Sequence, residues 1–279
     1  MLAGIILGAI ALAAPLDQDT TFAVDPSLRL EMRNQSGEIV VRTWDRNEVR
    51  VRADYSYRGS FDIERTSSAV RIRSRNWDDD DIRCLLTVPA AMALELTGSE
   101  TDVTVDGTHG EVNVDVSEGD VIIRGGSGRV SARTNDGSIR AENVDGRIRL
   151  YTMDGDITVD RASGDIDVET TDGTIDLVDI QSGSVNATTV DGDIWFDGTI
   201  SPQGTYLLQT HDGDITAHLP EDTDARVRLA LYDGHFSSDF ELTFPSWPRG
   251  RRVEFTMGRG SADLQIETFD GDIVLRRRK

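Results

Sequence analysis

The stretch 152–177, TMDGDITVDRASGDIDVETTDGTIDL, decides the fold because it repeats Gly-x-Ile every nine residues. Its glycines stand at positions 155, 164 and 173, and an isoleucine follows each of them two residues later. Apolar and polar residues then alternate, which is the pattern of a short strand with one buried face. Glycine adopts positive φ without steric cost, so Asp-Gly is typical of a turn. Each nine-residue unit is therefore predicted to be one strand followed by one turn.

The same unit recurs beyond this stretch, with steps of nine residues and a single step of ten. A Val or Ile stands two residues after each of the glycines at 110, 119, 128, 137, 146, 155, 164, 173, 183 and 192. In alternate units a threonine stands three residues before the glycine, at 134, 152, 170, 189, 210 and 268. The units between them carry Asn143, Arg161 and Ile180 at that place. The true repeat is therefore about 18 residues long and contains two unlike strands.

Two folds could use this pattern, an antiparallel meander of hairpins and a solenoid of two-sided coils. Asp-Gly between alternating strands is a strong hairpin signal. However, a meander would leave its apolar face uncovered, because no segment after the first residues has a helical pattern, and it does not explain two kinds of unit. In a solenoid, coils stacked about 4.8 Å apart place each residue on the equivalent residue of the next coil. The apolar faces of the two strands of each coil then pack against each other. The sequence therefore predicts an all-β solenoid of about 18-residue, two-strand coils, whose aspartates are primarily turn residues.

The remaining segments divide the chain into four regions. Residues 1–14 form an apolar run of signal-peptide length that ends in small residues, with a buried N-terminal strand or helix as the alternative. Residues 21–97 read as strands without the repeat and are predicted to form an N-terminal cap continuous with the solenoid. Regular coils are expected over 98–220. Irregular coils, an inserted loop at 241–252 and a basic tail are expected over 221–279.

Composition limits the classes of partner. Fifty acidic and 29 basic residues give a net charge of -21, and this field repels nucleic acid. After the first residues no apolar run approaches membrane length, so we expect no transmembrane span in the mature chain. The only cysteine, Cys84, excludes a disulfide framework and lies in an apolar run, where a buried thiol is expected. These features favour an exported protein.

Calcium is the cofactor that the acidic corners could bind. Stacking should bring Asp154, Asp172, Asp191 and Asp212 along one edge, together with Asp156, Asp193 and Asp214. Carboxylates about 5 Å apart repel, and a cation between them would relieve the repulsion. Known calcium-binding nine-residue repeats carry two or three glycines and an aspartate within each unit, whereas most units here have a single glycine. Diffuse counterions are the competing interpretation.

A polysaccharide-degrading β-helix enzyme is the catalytic alternative. Such an enzyme would use paired carboxylates, and a catalytic pair should interrupt the repeat, which nothing inside the repeat does. The histidines at 109, 211, 218 and 235 have no metal-ligand spacing. We therefore expect no enzymatic activity. The inserted loop offers a candidate partner contact at Trp247, Arg249, Arg251 and Arg252, with a solvated loop over a tucked Trp as the alternative.

Several segments, in their order along the chain, resemble a known family. These are GEIVVRTWDRNEVRVRA near the start, a VP strand before the repeats, the T-x-DGDI repeats and the closing GSADLQIETFDGDIVL. Over roughly residues 22–277 the chain resembles a bacterial domain of unknown function described as a candidate adhesin, related to the head domain of candidate autotransporter adhesins. The resemblance implies a right-handed β-solenoid, an envelope or secreted location and no catalytic residues. The resulting hypothesis is a non-catalytic exported module that binds a protein or glycan through a repetitive face, with a Ca²⁺-stabilised acidic scaffold as the alternative.

Overall fold

The computed structural model describes residues 19–54, 60–75, 81–242 and 252–278, and all the regular elements in these ranges are β-strands. The predicted leader, 1–14, lies outside the described residues. The first twelve strands are Asp19–Ala23 (β1), Arg29–Trp44 (β2), Glu48–Asp54 (β3), Ser60–Arg65 (β4), Ala69–Arg75 (β5), Ile82–Pro89 (β6), Ala93–Thr108 (β7), Val112–Glu118 (β8), Val121–Gly126 (β9), Val130–Arg133 (β10), Ile139–Val144 (β11) and Ile148–Tyr151 (β12). The other eleven are Ile157–Asp160 (β13), Ser163–Glu169 (β14), Ile175–Thr188 (β15), Ile194–Gly198 (β16), Thr205–Gln209 (β17), Ile215–Leu219 (β18), Ala225–Asp233 (β19), Phe236–Ser238 (β20), Arg252–Met257 (β21), Ala262–Asp270 (β22) and Ile273–Arg277 (β23).

The strands pair in two long runs. Run A has the order β4-β5-β2-β7-β8-β10-β12-β14-β15-β17-β22-β19-β21, and run B has the order β1-β3-β6-β2-β7-β9-β11-β13-β15-β16-β18-β23-β20. The long strands β2, β7 and β15 contribute one half to each run. The inward side chains of both runs form one apolar core. Phe196 of run B meets Tyr206 of run A edge-on across it, with 6.1 Å between ring centroids.

Neighbouring strands in the repeat are parallel, so the meander is excluded there and the coil interpretation holds. Ile139 pairs with Ile157 and Ile157 with Ile175, an offset of 18 residues. The offset grows to 19 from Ile175 to Ile194 and to 21 from Ile194 to Ile215. Handedness stays a prediction.

The coils turn at two kinds of corner. We call the turn after each Thr-x-Asp-Gly the threonine corner. The opposite corner contains Asn143, Arg161 and Asp179, whose φ angles are 55°, 54° and 54°. In the last of these coils the corner residue is Asp179 and not Ile180, which stands three residues before Gly183, because one extra residue lies between Gln181 and Ser184. Ile180 is instead buried, and the pairing of β14 with β15 shifts register beside the extra residue, between Ser163 and Asp165.

Both ends of the solenoid have an order in space that differs from the order in the chain. At the C-terminal end, β22 and β23 lie between the coil of β17 and β18 and the coil of β19 and β20. At the N-terminal end, β2 lies between β7 and the later strands β5 and β6. Antiparallel strands then cover the outermost coils: β4 on β5, β3 and β1 on β6, and β21 on β19. An intercalated coil has hydrogen-bonding neighbours on both sides, and the antiparallel strands reduce the exposed parallel edge.

Parallel pairing thus already includes residues 29–44, 69–73 and 82–89, inside the segment that was predicted to form an N-terminal cap. The boundaries of that cap stay a prediction. Within this segment Cys84 faces the core, as predicted from its apolar surroundings. Burial raises the pKa of its thiol to about 12, so the sulfur is a neutral packing atom at physiological pH.

Candidate functional site

At the threonine corner one glycine carbonyl oxygen accepts a hydrogen bond from the threonine and lies close against the glycine of the next coil. Thr152, Thr170 and the equivalent threonines are almost fully buried, and their hydroxyl groups donate to the glycine carbonyl of the preceding coil. The distance is 2.9 Å from Thr152 Oγ1 to Gly137 O and 3.0 Å from Thr170 Oγ1 to Gly155 O. The glycine above must lack a side chain, because a Cβ on Gly155 would overlap that same Gly137 oxygen. The buried hydroxyl is therefore satisfied by the contact that also fixes the register of the coils.

The aspartates that follow the corner glycines have a structural role as well. The carboxylate of Asp156 accepts the backbone N–H of Thr174 at 2.8 Å, and that of Asp193 accepts the N–H of Asp214 at 2.8 Å. Asp102, Asp120, Asp214 and Asp272 accept the equivalent N–H of the adjacent coil at 2.7–2.9 Å. Each of these aspartates satisfies one backbone donor of the adjacent coil, which is a sufficient reason for aspartate at these positions.

The aspartates that precede the corner glycines are those predicted as a possible calcium edge. Asp154, Asp172, Asp191 and Asp212 pair in register, one per coil, as the stacking argument required. In the described ranges, however, no three His, Cys, Asp or Glu side chains are grouped as a metal site would need. Calcium binding between coils therefore stays a prediction. It requires thermal melts with Ca²⁺ and with EDTA to differ by many degrees, and superimposable melts would contradict it.

The residue between each corner threonine and aspartate faces solvent and, with Tyr232 at the equivalent place between Leu231 and Asp233, forms a second column, which we call the corner stripe. Its members are Asn135, Met153, Thr171, Val190, His211, Phe269 and Tyr232, joined by successive backbone pairing. Met153, Val190 and Phe269 are 43%, 44% and 47% exposed, and they are three of the five exposed large hydrophobic side chains in the described ranges. Phe269 stacks between His211 and Tyr232, with centroid distances of 4.9 and 5.3 Å. Sequence analysis missed this stripe, although its spacing is that of the corner threonines.

The outward face of run B carries the other two exposed hydrophobic side chains, Trp195 and Val178. Trp195 packs on His218 with 4.4 Å between ring centroids. Asp176 is the register partner of Trp195 on the preceding coil. Partial burial raises the pKa of Asp176, and the negative charge of Asp156 raises it further. The surroundings of this carboxylate thus disfavour its charged form.

The predicted partner-contact loop lies largely outside the described residues. Trp247, Arg249 and Arg251 lie outside the described residues, whereas Arg252 opens the edge strand β21 and is exposed. The basic tail beyond the last coil folds back on the chain, where the Arg278 guanidinium donates to the Asp179 carboxylate at 2.6 Å. No helix that could cross a membrane occurs within 19–54, 60–75, 81–242 or 252–278.

Two-sided parallel coils with a glycine and a buried threonine at one corner define a repetitive all-β protein. The family model of the Toastrack DUF4097 domain matches residues 14–169 and 148–276, and the chain belongs to this family. This confirms the resemblance found in the sequence.

Two solved structures align with most of the chain at low identity. A candidate cell adhesion protein from Clostridium sporogenes ATCC 15579 is 8% identical, with 95% of this chain and 100% of that chain covered and a TM-score of 0.22. A candidate adhesin from Bacteroides fragilis NCTC 9343 is 10% identical, with 92% and 95% covered and a TM-score of 0.38. A search of curated proteins found no significant match.

Proposed function

We propose that the chain is a non-catalytic, exported interaction module of the bacterial envelope or surface, which contacts a protein or glycan partner through its repetitive exterior. The observation that carries this proposal is the corner stripe. Nothing in the coil architecture needs an apolar side chain there, because the threonine, aspartate and glycine on either side already make the corner. Exposed apolar residues aligned along one edge are typical of a contact surface.

The acidic repeats support a binding role over a catalytic one. The aspartates after the glycines hold backbone N–H groups, and those before the glycines recur once per coil. Both sets are distributed evenly along the solenoid, whereas a glycosidase needs two carboxylates at one place with different environments. An extended array of equivalent positions instead suits a long or repetitive partner.

A matched pair of valines tests the contact surface. Val190 on the corner stripe and Val178 on the face of run B are both exposed, at 44% and 37%, and both become serine at little cost to the core. We expect Val190→Ser combined with Phe269→Ser to reduce retention of chain-coated beads on isolated cell envelopes at least about tenfold, and Val178→Ser to leave it unchanged. Equal retention of both variants would remove the stripe from the proposal.

Export is tested separately. The apolar residues 1–14 predict cleavage near Ala14, so the mature chain should begin near Pro15 and should be recovered outside the cytoplasm. Mass spectrometry of the N-terminus from fractionated cells measures this directly. A full-length chain recovered only from the cytoplasm would contradict an envelope role without bearing on the fold.

A further inference from the structure

A groove of about 300 Å³ crosses the outward face of run A near the N-terminal end of the solenoid. Its floor consists of small side chains, Ala93, Asn113 and Ser131, which occupy successive coils. Longer charged side chains surround the floor, so the depression follows from a local alternation of small and large residues. The outward face of a regular sheet has no structural need for such an alternation.

One end of the groove is basic. Arg129, Arg147 and Arg149 lie on two adjacent coils, in a chain whose net charge is -21. Arg147 Nη2 is 3.3 Å from Asp165 Oδ2, and Arg149 Nε is 3.0 Å from Asp167 Oδ2, both on the next coil away from the groove. The two carboxylates contact the guanidinium groups on the side away from the groove. Each guanidinium has five N–H donors, and such a pair can present several of them to a carboxylate.

The other end of the groove accepts hydrogen bonds. Glu95 is held by Arg29, with 2.9 Å between Oε2 and Nη1, and Glu111 lies on the coil between Glu95 and the basic end. An ionised carboxylate accepts but does not donate, so this end suits hydroxyl or amide donors. The two ends therefore suit different groups of one ligand, a carboxylate at the basic end and several hydroxyl groups at the other.

We propose that this groove binds an acidic saccharide, with the sugar carboxylate at Arg147 and Arg149 and the sugar hydroxyls at Glu95, Glu111 and the polar floor. The inference rests on the proposed function, since it assigns a glycan class to a module proposed to bind protein or glycan. The groove is separate from the corner stripe, so the proposal for each surface can be refuted without affecting the other.

The test uses the mature chain and three probes, trigalacturonate, a hyaluronan tetrasaccharide and sialyllactose, with binding measured by calorimetry. The disrupting variant is Arg147→Gln with Arg149→Gln. The matched control is Arg226→Gln with Arg228→Gln on β19, because those arginines have the same spacing, lie on the same run, are similarly exposed and are also ion-paired. Ion pairs of such exposure contribute little to stability, so both variants should keep the melting temperature of the parent.

We expect at least one acidic probe to bind, the groove variant to weaken it at least about tenfold and the control to stay within about twofold. A carboxyl-reduced form of that probe should bind as weakly as the groove variant does. The proposal is overturned if none of the three probes binds, if both variants lose binding equally or if the reduced sugar binds as well. Equal binding of triglutamate would also overturn it and would indicate a protein ligand, while bead retention through the corner stripe would be unaffected in every case.

Discussion

The threonine corner and the opposite corner join the same two runs of strands by different physical means. At the threonine corner a glycine with φ near 150° lies over the glycine carbonyl below, and a buried threonine hydroxyl donates to that oxygen. At the opposite corner Asn143, Arg161 and Asp179 adopt φ near +55°, a region that only glycine enters freely. Both corners stack a glycine on a glycine carbonyl of the preceding coil, but the threonine corner adds a buried hydroxyl that donates to that oxygen, and the opposite corner adds a non-glycine residue with positive φ.

The difference shows where the solenoid tolerates changes in length. The spacing from threonine to glycine and on to the next isoleucine is constant, even in the coils of 19 and 21 residues. The extra residues of those coils fall on the other side of the coil, between Gln181 and Ser184 or after Gly198. The threonine corner thus keeps its length in every coil, whereas the segment around the opposite corner accepts insertions. The threonine corner therefore sets the register of the whole stack.

The largest expected effect comes from removing the close approach. Gly155→Ala forces a Cβ into the Gly137 carbonyl and places alanine at a φ of 151°, so we expect a loss of more than about 3 kcal/mol in the free energy of unfolding. Gly183→Ala is the control, because no atom lies within 4 Å of the place that its Cβ would take and its φ is not in the positive region. Urea unfolding should show the first effect and less than about 0.5 kcal/mol for the second. Similar losses at both sites would show that the close approach to the carbonyl oxygen is not the cause.

The next largest effect is expected from removing the hydrogen bond between the corner threonine and the glycine carbonyl. Thr170→Val keeps the shape of the side chain but removes the donor to Gly155 O, at a position only 2% exposed. We expect a loss of about 1–2 kcal/mol, the cost of an unmade buried hydrogen bond. Thr158→Val, on the outward side of β13, should change the free energy of unfolding by less than about 0.5 kcal/mol. If Thr170→Val and Thr158→Val lower the free energy of unfolding equally, the buried hydroxyl does not contribute to the register.

These two corners also show which parts of the fold the sequence could predict. The Thr-x-Asp-Gly spacing repeats without error, so the 18-residue coil, the buried threonines and the stacked aspartates could be predicted. The opposite corner could not be aligned, because its positive-φ residues Asn143, Arg161 and Asp179 are of three different types and an extra residue separates Asp179 from Gly183. Gly183 also recurs in the pattern with neither a positive φ nor a close neighbour to require it.

The ends and the surface were harder to predict for a different reason. Intercalation of β2 and β22 depends on pairings between residues far apart in the chain, and no local pattern encodes which coil lies outside the other. The groove at Arg147 and the stripe at Phe269 depend on which outward positions meet across coils. The groove and the stripe can be predicted only after the 18-residue register is known.

A smaller effect should come from the torsion at the opposite corner. Arg161 has a φ of 54°, and the equivalent residue of the preceding coil is Asn143, a type that tolerates the left-handed region. Arg161→Asn should therefore raise the free energy of unfolding by up to about 1 kcal/mol, because relief of the torsion outweighs the lost contacts of Arg161 with Asp160 and with Asn143 Oδ1. Arg228→Asn in the extended strand β19 should give no gain. A gain at both positions would point to charge and not to torsion.

The smallest effect lies away from both corners, at Asp176 on the face of run B. Because its folded pKa lies above the unfolded value of about 3.9, the folded chain binds a proton more readily there than the unfolded chain does. The stabilisation from this proton is absent at neutral pH, grows as the pH falls through the folded pKa and is complete below the unfolded one. Asp176→Asn lacks the charge at every pH, so its melting temperature should exceed that of the parent by about 1–2 °C at pH 7, and the difference should shrink toward pH 4. A difference that is independent of pH would show that the amide acts through packing and that burial of the charge beside Asp156 is not its cause.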